Sequence, residues 1–246
     1  LNQFGQVTLY QKTESEEEAI ARIGDHEIVL TNKVPITESL LAACPNIKLI
    51  CVQATGYNIV DYKACADRGI PVTNVPTYGT AAVAQFTFAL LLELCHQVGH
   101  HAQTVRDGKW CECPDFCYWK TPQMELYGKT IGIIGFGRIG RAVGRIAKAL
   151  GMRVLANGSR PCEEGLQIAE YVDLDTLLAQ ADVISLHCPL TAENTGMINR
   201  EAIAKMKDGV RIINLARADL VNAEDMKEAL ASGKVAASIT DFPNEE

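Results

Sequence analysis

Two doubly wound parallel α/β domains are expected for this chain of 246 residues, on three observations. Short β-branched runs alternate with helical apolar patterns along the whole length, an order that builds parallel sheets covered on both faces. The apolar run 131–134 turns on three glycines, Gly135, Gly137 and Gly140, spaced G-x-G-x-x-G. Behind that turn Val143, Ile146, Ala147 and Leu150 recur at i, i+3, i+4 and i+7, the stripe of an amphipathic helix.

In the first part, residues 7–10, 28–30, 47–52 and 72–74 read as strands, and 15–23, 37–43 and 60–67 as the helices between them. Pro35 and Pro45 punctuate the middle helix on either side. Residues 81 to about 105 read as one long helix, whose length suits a link between two domains better than a place on one. A loop with Trp110, Pro114 and Trp119 follows. The alternation then restarts, with strands at 130–134, 153–156, 183–187, 210–214 and 235–239 and helices at 138–150, 174–180, 200–206 and 224–232.

Strand, glycine turn and helix in that order are what a Rossmann dinucleotide-binding unit requires. Gly135 permits a tight turn, Gly137 lets the backbone approach a pyrophosphate, and Gly140 lets helix and strand pack closely. The helix N-terminus adds N–H donors and the positive end of its dipole. At the end of the next strand, NAD-specific sites carry an acid that accepts the ribose 2′-OH. That place, 21 residues past the middle glycine, is taken by Gly158, followed by Ser159 and Arg160. A hydroxyl and a cation suit a 2′-phosphate, so NADP(H) is favoured over NAD(H).

The remaining composition excludes several classes. A hydrophobic content of 48%, a charged content of 22% and a net charge of −7 are those of a globular chain without the basic face that nucleic acid needs. No apolar run reaches the roughly eighteen residues of a membrane span, the longest, 86–94, being cut by Glu93. With no signal peptide, a cytoplasmic location is expected. Nine cysteines, an odd number, read as reduced thiols. Cys111, Cys113 and Cys117 form a C-x-C-x3-C cluster, but no second ligand pair follows and aromatic neighbours suggest a packed loop, so no metal is expected.

Four segments in order, Ala54-Thr55-Gly56-Tyr57-Asn58, the glycine turn 133–140, Leu186-His187-Cys188-Pro189-Leu190-Thr191 and Ile213-Asn214-Leu215-Ala216-Arg217, resemble the D-isomer-specific 2-hydroxyacid dehydrogenase family. Asn74-Val75-Pro76-Thr77-Tyr78-Gly79 and residues 83–90 are similar to its glycerate dehydrogenase (hydroxypyruvate reductase) subgroup. The resemblance implies a flavodoxin-like substrate domain over 1–92, a Rossmann NAD(P)-binding domain over 93–246, and hydride transfer between a nicotinamide and a small 2-hydroxy or 2-keto acid. It assigns catalysis to Arg217 and carboxylate binding to the N–H groups of Thr55 and Gly56. It assigns cofactor contact to Gly135, Gly137, Arg138, Ile139, Gly140, Ser159, Arg160, His187, Cys188, Pro189, Thr195, Ala216 and Asp241. It further implies a glutamate, about 29 residues beyond the arginine, that pairs with a catalytic histidine. That spacing falls on Glu246, with Glu245 beside it.

The family's histidine follows that glutamate in a Pro-His segment, and none of the five histidines here matches it. His187 fits the loop along the nicotinamide ribose instead. The start at Leu1 and the lack of the family's first strand before Val7 give the expectation of a fragment, better at binding cofactor than at catalysis. A homodimer is expected, compatible with the apolar and aromatic content of 104–122. Two other readings stay open: D-3-phosphoglycerate dehydrogenase, which would need cations that residues 51–58 lack, and an NAD(H)-sensing corepressor-like binding protein.

Overall fold

The structure is a computed structural model that describes Gln3, residues 5–158 and residues 160–241. It divides into two compact units, Leu1–Gly79 and Thr80–Glu246.

In the first unit α1 (Glu16–Ile23), β1 (Ile28–Thr31), α2 (Glu38–Ala43), β2 (Leu49–Val52), α3 (Tyr62–Asp67) and β3 (Val72–Thr73) alternate. Each helix starts on a polar cap: Ser15 accepts the Glu18 N–H at 3.1 Å, Thr37 that of Leu40 at 3.1 Å and Asp61 that of Ala64 at 3.0 Å. Gly24, at φ 48°, ends α1 in a conformation that costs glycine little. The strands form a parallel sheet in the order β1-β2-β3 over a core that includes Leu40, Leu41, Ile50 and Cys65. Residues 7–10 form no strand, contrary to expectation. They meet the residue pattern of a strand but no ladder partner, and Leu9 is left 84% exposed.

The second unit opens with α4 (Thr80–His96) and α5 (Val98–Arg106). These replace the single helix expected over 81–105. Gln97, at φ 44°, takes the left-handed conformation that ends a helix, and the two halves bend by 54°. Glu93 helps start the second half, its carboxylate accepting the Gly99 N–H at 3.4 Å. Nor does α4 bridge two units. Its buried face, with Ala84, Phe88, Leu91 and Cys95, belongs to the core of the second. No single described helix is long and apolar enough to cross a membrane.

Then follow β4 (Thr130–Ile134), α6 (Arg138–Ala149), β5 (Arg153–Asn157), α7 (Glu163–Ile168), β6 (Glu170–Tyr171), α8 (Leu174–Gln180), β7 (Val183–Leu186), α9 (Arg200–Lys205), β8 (Val210–Asn214), a 3-10 turn at Ala218–Leu220, α10 (Ala223–Ala231) and β9 (Val235–Thr240). All six strands are parallel, in the order β6-β5-β4-β7-β8-β9. Counted from β4 this is 3-2-1-4-5-6, the Rossmann order, and it reverses between β4 and β7. Both strands are buried along their length, as sheets covered on two faces demand. One face packs on α4 and α6, the other on α8, α9 and α10. Close helix contact on β4 depends on Gly132, where a Cβ would stand 2.4 Å from Leu177 Cδ2.

Candidate functional site

The point where strand order reverses opens a crevice at the carboxyl ends of β4 and β7, because the helices that follow them leave to opposite faces. The glycine turn lies there. Gly135, at φ 94°, needs a residue without a side chain: a Cβ would sit 2.3 Å from the Cys188 N. Its N–H donates to Asn157 O at 2.8 Å, and His187 N–H donates to Ile134 O at 2.7 Å, so the turn is laced to both neighbouring strands. Gly140 is in a similar position, its Cβ direction ending 2.3 Å from Gly135 O. Gly137 differs. Nothing lies within 4 Å of where its Cβ would be, and it caps α6 with no side chain to occupy the first-turn donors. Open space, first-turn N–H groups and a positive dipole end make a cradle that fits a pyrophosphate. Arg138 is exposed at the first helical position, while Ile139 packs partly against the core.

Phe136, between the first two glycines, is a residue that motif spacing does not single out. It is buried, meets the Tyr171 ring edge-on at 5.6 Å between centroids, and anchors the turn in the core. Its backbone also limits the end of β5, where a Cβ on Gly158 would lie 3.3 Å from Phe136 N. Arg160 is exposed beyond it. Ser159 lies outside the described residues.

On the other side of the crevice, Ser185 Oγ and His187 Nε2 are 2.8 Å apart. Burial pulls the His187 imidazole down to about 4, so the ring is neutral at pH 7. Burial likewise pushes the Cys188 thiol up. The segment beyond is held by Asn194, which accepts the Thr191 N–H at 2.7 Å and donates to Pro189 O at 2.8 Å. Thr195 donates its hydroxyl to Thr191 O at 2.9 Å.

After β8 the chain carries Arg217, exposed and extended at φ −148°. Buried Asn214 positions it, accepting the Ala216 N–H at 3.1 Å and donating to Arg217 O at 2.8 Å. A cavity of about 250 Å³ lined by Asn214, Ala218, Val221, Lys227, Ser238 and Thr240 opens beside this loop. Asp241 is exposed at the end of β9, and Glu246 lies outside the described residues. In the first unit, Thr55 donates its hydroxyl to Val75 O at 2.9 Å and accepts from Asn74 Nδ2 at its carbonyl at 2.9 Å. These bonds shape the loop, and the N–H groups of Thr55 and Gly56 have no intramolecular acceptor among the described residues. No group of three or more metal-ligating side chains occurs among the described residues, and Cys113 Sγ meets Cys117 O at 3.7 Å.

The family model of the D-isomer specific 2-hydroxyacid dehydrogenase NAD binding domain matches residues 88–246. This chain belongs to that family. It is 52% identical over its full length to a hydroxypyruvate reductase of Blautia hydrogenotrophica, covering 77% of that protein. It is 38% identical over 96% of its length to a glycerate dehydrogenase of Methylorubrum extorquens, covering 74% of it. Among solved structures it is similar to an acyclic imino acid reductase in complex with NADPH and D-Arg, at a TM-score of 0.87 and 27% identity, covering all of this chain and 78% of that one. The 2-hydroxyacid dehydrogenase chain described here is an NAD(P)-dependent oxidoreductase.

Proposed function

We propose that this dehydrogenase interconverts hydroxypyruvate and D-glycerate, or reduces glyoxylate, with NADP(H) preferred. The substrate class is supported by the 52% identity to a hydroxypyruvate reductase. The cofactor preference is carried by one observation, glycine rather than an acid at the end of β5 with a cation two residues on. A 2′-phosphate meets no carboxylate at Gly158 and gains Arg160, with Ser159 between them as a second candidate donor.

When bound, the nicotinamide supplies or accepts the hydride. The chain's own groups have the remaining tasks. The α6 N-terminus with Gly135, Gly137, Arg138, Ile139 and Gly140 holds the pyrophosphate. His187, Cys188, Pro189, Thr195, Ala216 and Asp241 line the nicotinamide half. A neutral His187 offers a hydrogen bond without a cation that would repel the oxidised ring. The N–H groups of Thr55 and Gly56 suit a substrate carboxylate. Arg217 presents a guanidinium fork to carboxylate and keto oxygen, stabilising the charge that grows on that oxygen during reduction. Glu246 is the acid that would pair with a catalytic histidine.

The first unit, residues 1–79, serves the substrate and the second, residues 80–246, the cofactor. Nine thiols, none in a disulfide, suit a reducing compartment such as the cytoplasm. Exposed Val98, Trp110, Phe116 and Trp119 give α5 and the loop after it an apolar surface suited to a second copy. NADPH and NADH titrations of the wild-type chain and Arg160→Ala test the cofactor preference. Arg160→Ala should weaken NADPH about tenfold, the worth of one charge-assisted contact, and leave NADH unchanged. Tighter NADH than NADPH in the wild type would overturn it. A panel of hydroxypyruvate, glyoxylate and phosphohydroxypyruvate sorts the substrates, the last being favoured only by a phosphoglycerate dehydrogenase.

A further inference from the structure

The opposite, N-terminal edge of the six-stranded sheet carries a cavity of about 180 Å³, lined by Met124, Lys129, Asp182, Lys207, Asp208 and Arg211. Lys129 and Asp182 immediately precede β4 and β7, and Arg211 is the second residue of β8. Both acids are already matched. Lys207 Nζ is 3.0 Å from Asp182 Oδ1, and Lys234 Nζ is 2.7 Å from Asp208 Oδ1. Asp182 also accepts the Thr130 N–H at 2.8 Å. Burial pushes its carboxyl up, but that bond and the charges of Lys207 and Lys129 outweigh it and hold the carboxyl below its ordinary value.

Two cations are then left over. Among the described residues neither the Lys129 ammonium nor the Arg211 guanidinium has an ion pair or a side-chain hydrogen bond. Arg211 is half-buried, and its charge reaches the buried thiol of Cys95. A guanidinium removed from part of its water, with five N–H donors and no hydrogen-bonded acceptor among the described residues, gains most from an anion in the adjoining space.

We infer that this cavity binds a small oxyanion of the phosphate class, with Arg211 as a bidentate donor and Lys129 as a point charge. Its volume is below the roughly 300 Å³ at which pockets for drug-sized ligands begin, which favours one tetrahedral group over a nucleotide. It is a separate place from the glycine turn. The five residues of β4 lie between them, roughly 17 Å of strand.

Equilibrium dialysis with labelled inorganic phosphate, and in a second arm with glycerol 2-phosphate, tests this at ionic strength matched with chloride. Saturating NADPH keeps phosphate from the glycine turn. One equivalent of saturable uptake is expected, weakened at least tenfold in Arg211→Met and about threefold in Lys129→Gln. Both variants should keep wild-type affinity for NADPH. Lys129 is exposed, so Lys129→Gln carries the comparison should Arg211→Met fail to fold. Tighter uptake of glycerol 2-phosphate supports a phosphate monoester as the source, and tighter inorganic phosphate supports the free ion. Uptake no greater than in chloride alone, or equal in wild type and both variants, overturns the site. So would an Arg211→Met variant that loses stability without any change in phosphate uptake, since Arg211 would then serve the fold alone.

Discussion

At the scale of single residues, the three motif glycines are not equivalent. Gly135 and Gly140 are required by the fold itself, each having backbone 2.3 Å from where a Cβ would be, whereas Gly137 faces open space. Only the last is free to serve a ligand without first serving the chain. His187 shows a different kind of constraint. Its pKa of about 4 lies below the 6.5 of an unfolded histidine, so the unfolded chain binds a proton that the folded ring refuses. Stability is therefore lost as pH falls from 6.5 towards 4, by at most about 3 kcal/mol from this one ring. Urea midpoints measured across that range should fall in the wild type and flatten in His187→Gln. Parallel profiles for the two proteins would show that the ring titrates freely. The glycines, His187 and Arg217 were visible in the sequence because they stand in ordered motifs. The roles of Phe136, Asn194 and Asn214 were not, although Phe136 and Asn214 stand in the same motifs, since those roles come from a ring packed on Tyr171 and from loop hydrogen bonds that only the fold brings together.

At the scale of elements, periodicity located every strand of the large sheet except β6. That strand has two residues, and α7 before it contains Gly165, a poor helix former. The glycine is kept for packing, as a Cβ there would stand 2.2 Å from the Tyr171 hydroxyl. Residues 7–10 show the reverse error, a strand-like composition without a partner strand, because pairing is a tertiary property. The break at Gln97 was hidden for a further reason: apolar periodicity runs through it, and glutamine gives no hint of a positive φ. Holding a residue with a Cβ there costs about 1 kcal/mol, so Gln97→Gly should raise the unfolding free energy by about that amount. Chemical denaturation checks this, and a destabilised Gln97→Gly would mean that the glutamine side chain holds the bend.

At the scale of the whole molecule, both parallel sheets put the candidate binding loops at strand carboxyl ends, as open α/β sheets do. Order, class and family follow from motifs spread over the chain, while the proposed preference for a 2′-phosphate rests on the short segment 158–160. The apolar surface of α5 and the loop after it predicts a dimer. Light scattering should give twice the 26.8 kDa of one chain, and Trp119→Glu, at a residue 70% exposed, should give monomers. A monomeric wild type would remove that assembly without touching the cofactor site. Whether the glycine turn holds the cofactor is tested most directly by NADPH affinity in wild type and Gly137→Ala, with melting temperatures taken alongside. A methyl group in the open cradle should weaken NADPH at least tenfold while the melting temperature stays within a few degrees, because nothing within 4 Å meets the added carbon. Equal NADPH affinity in the two proteins, at equal stability, would contradict a cofactor held at the glycine turn.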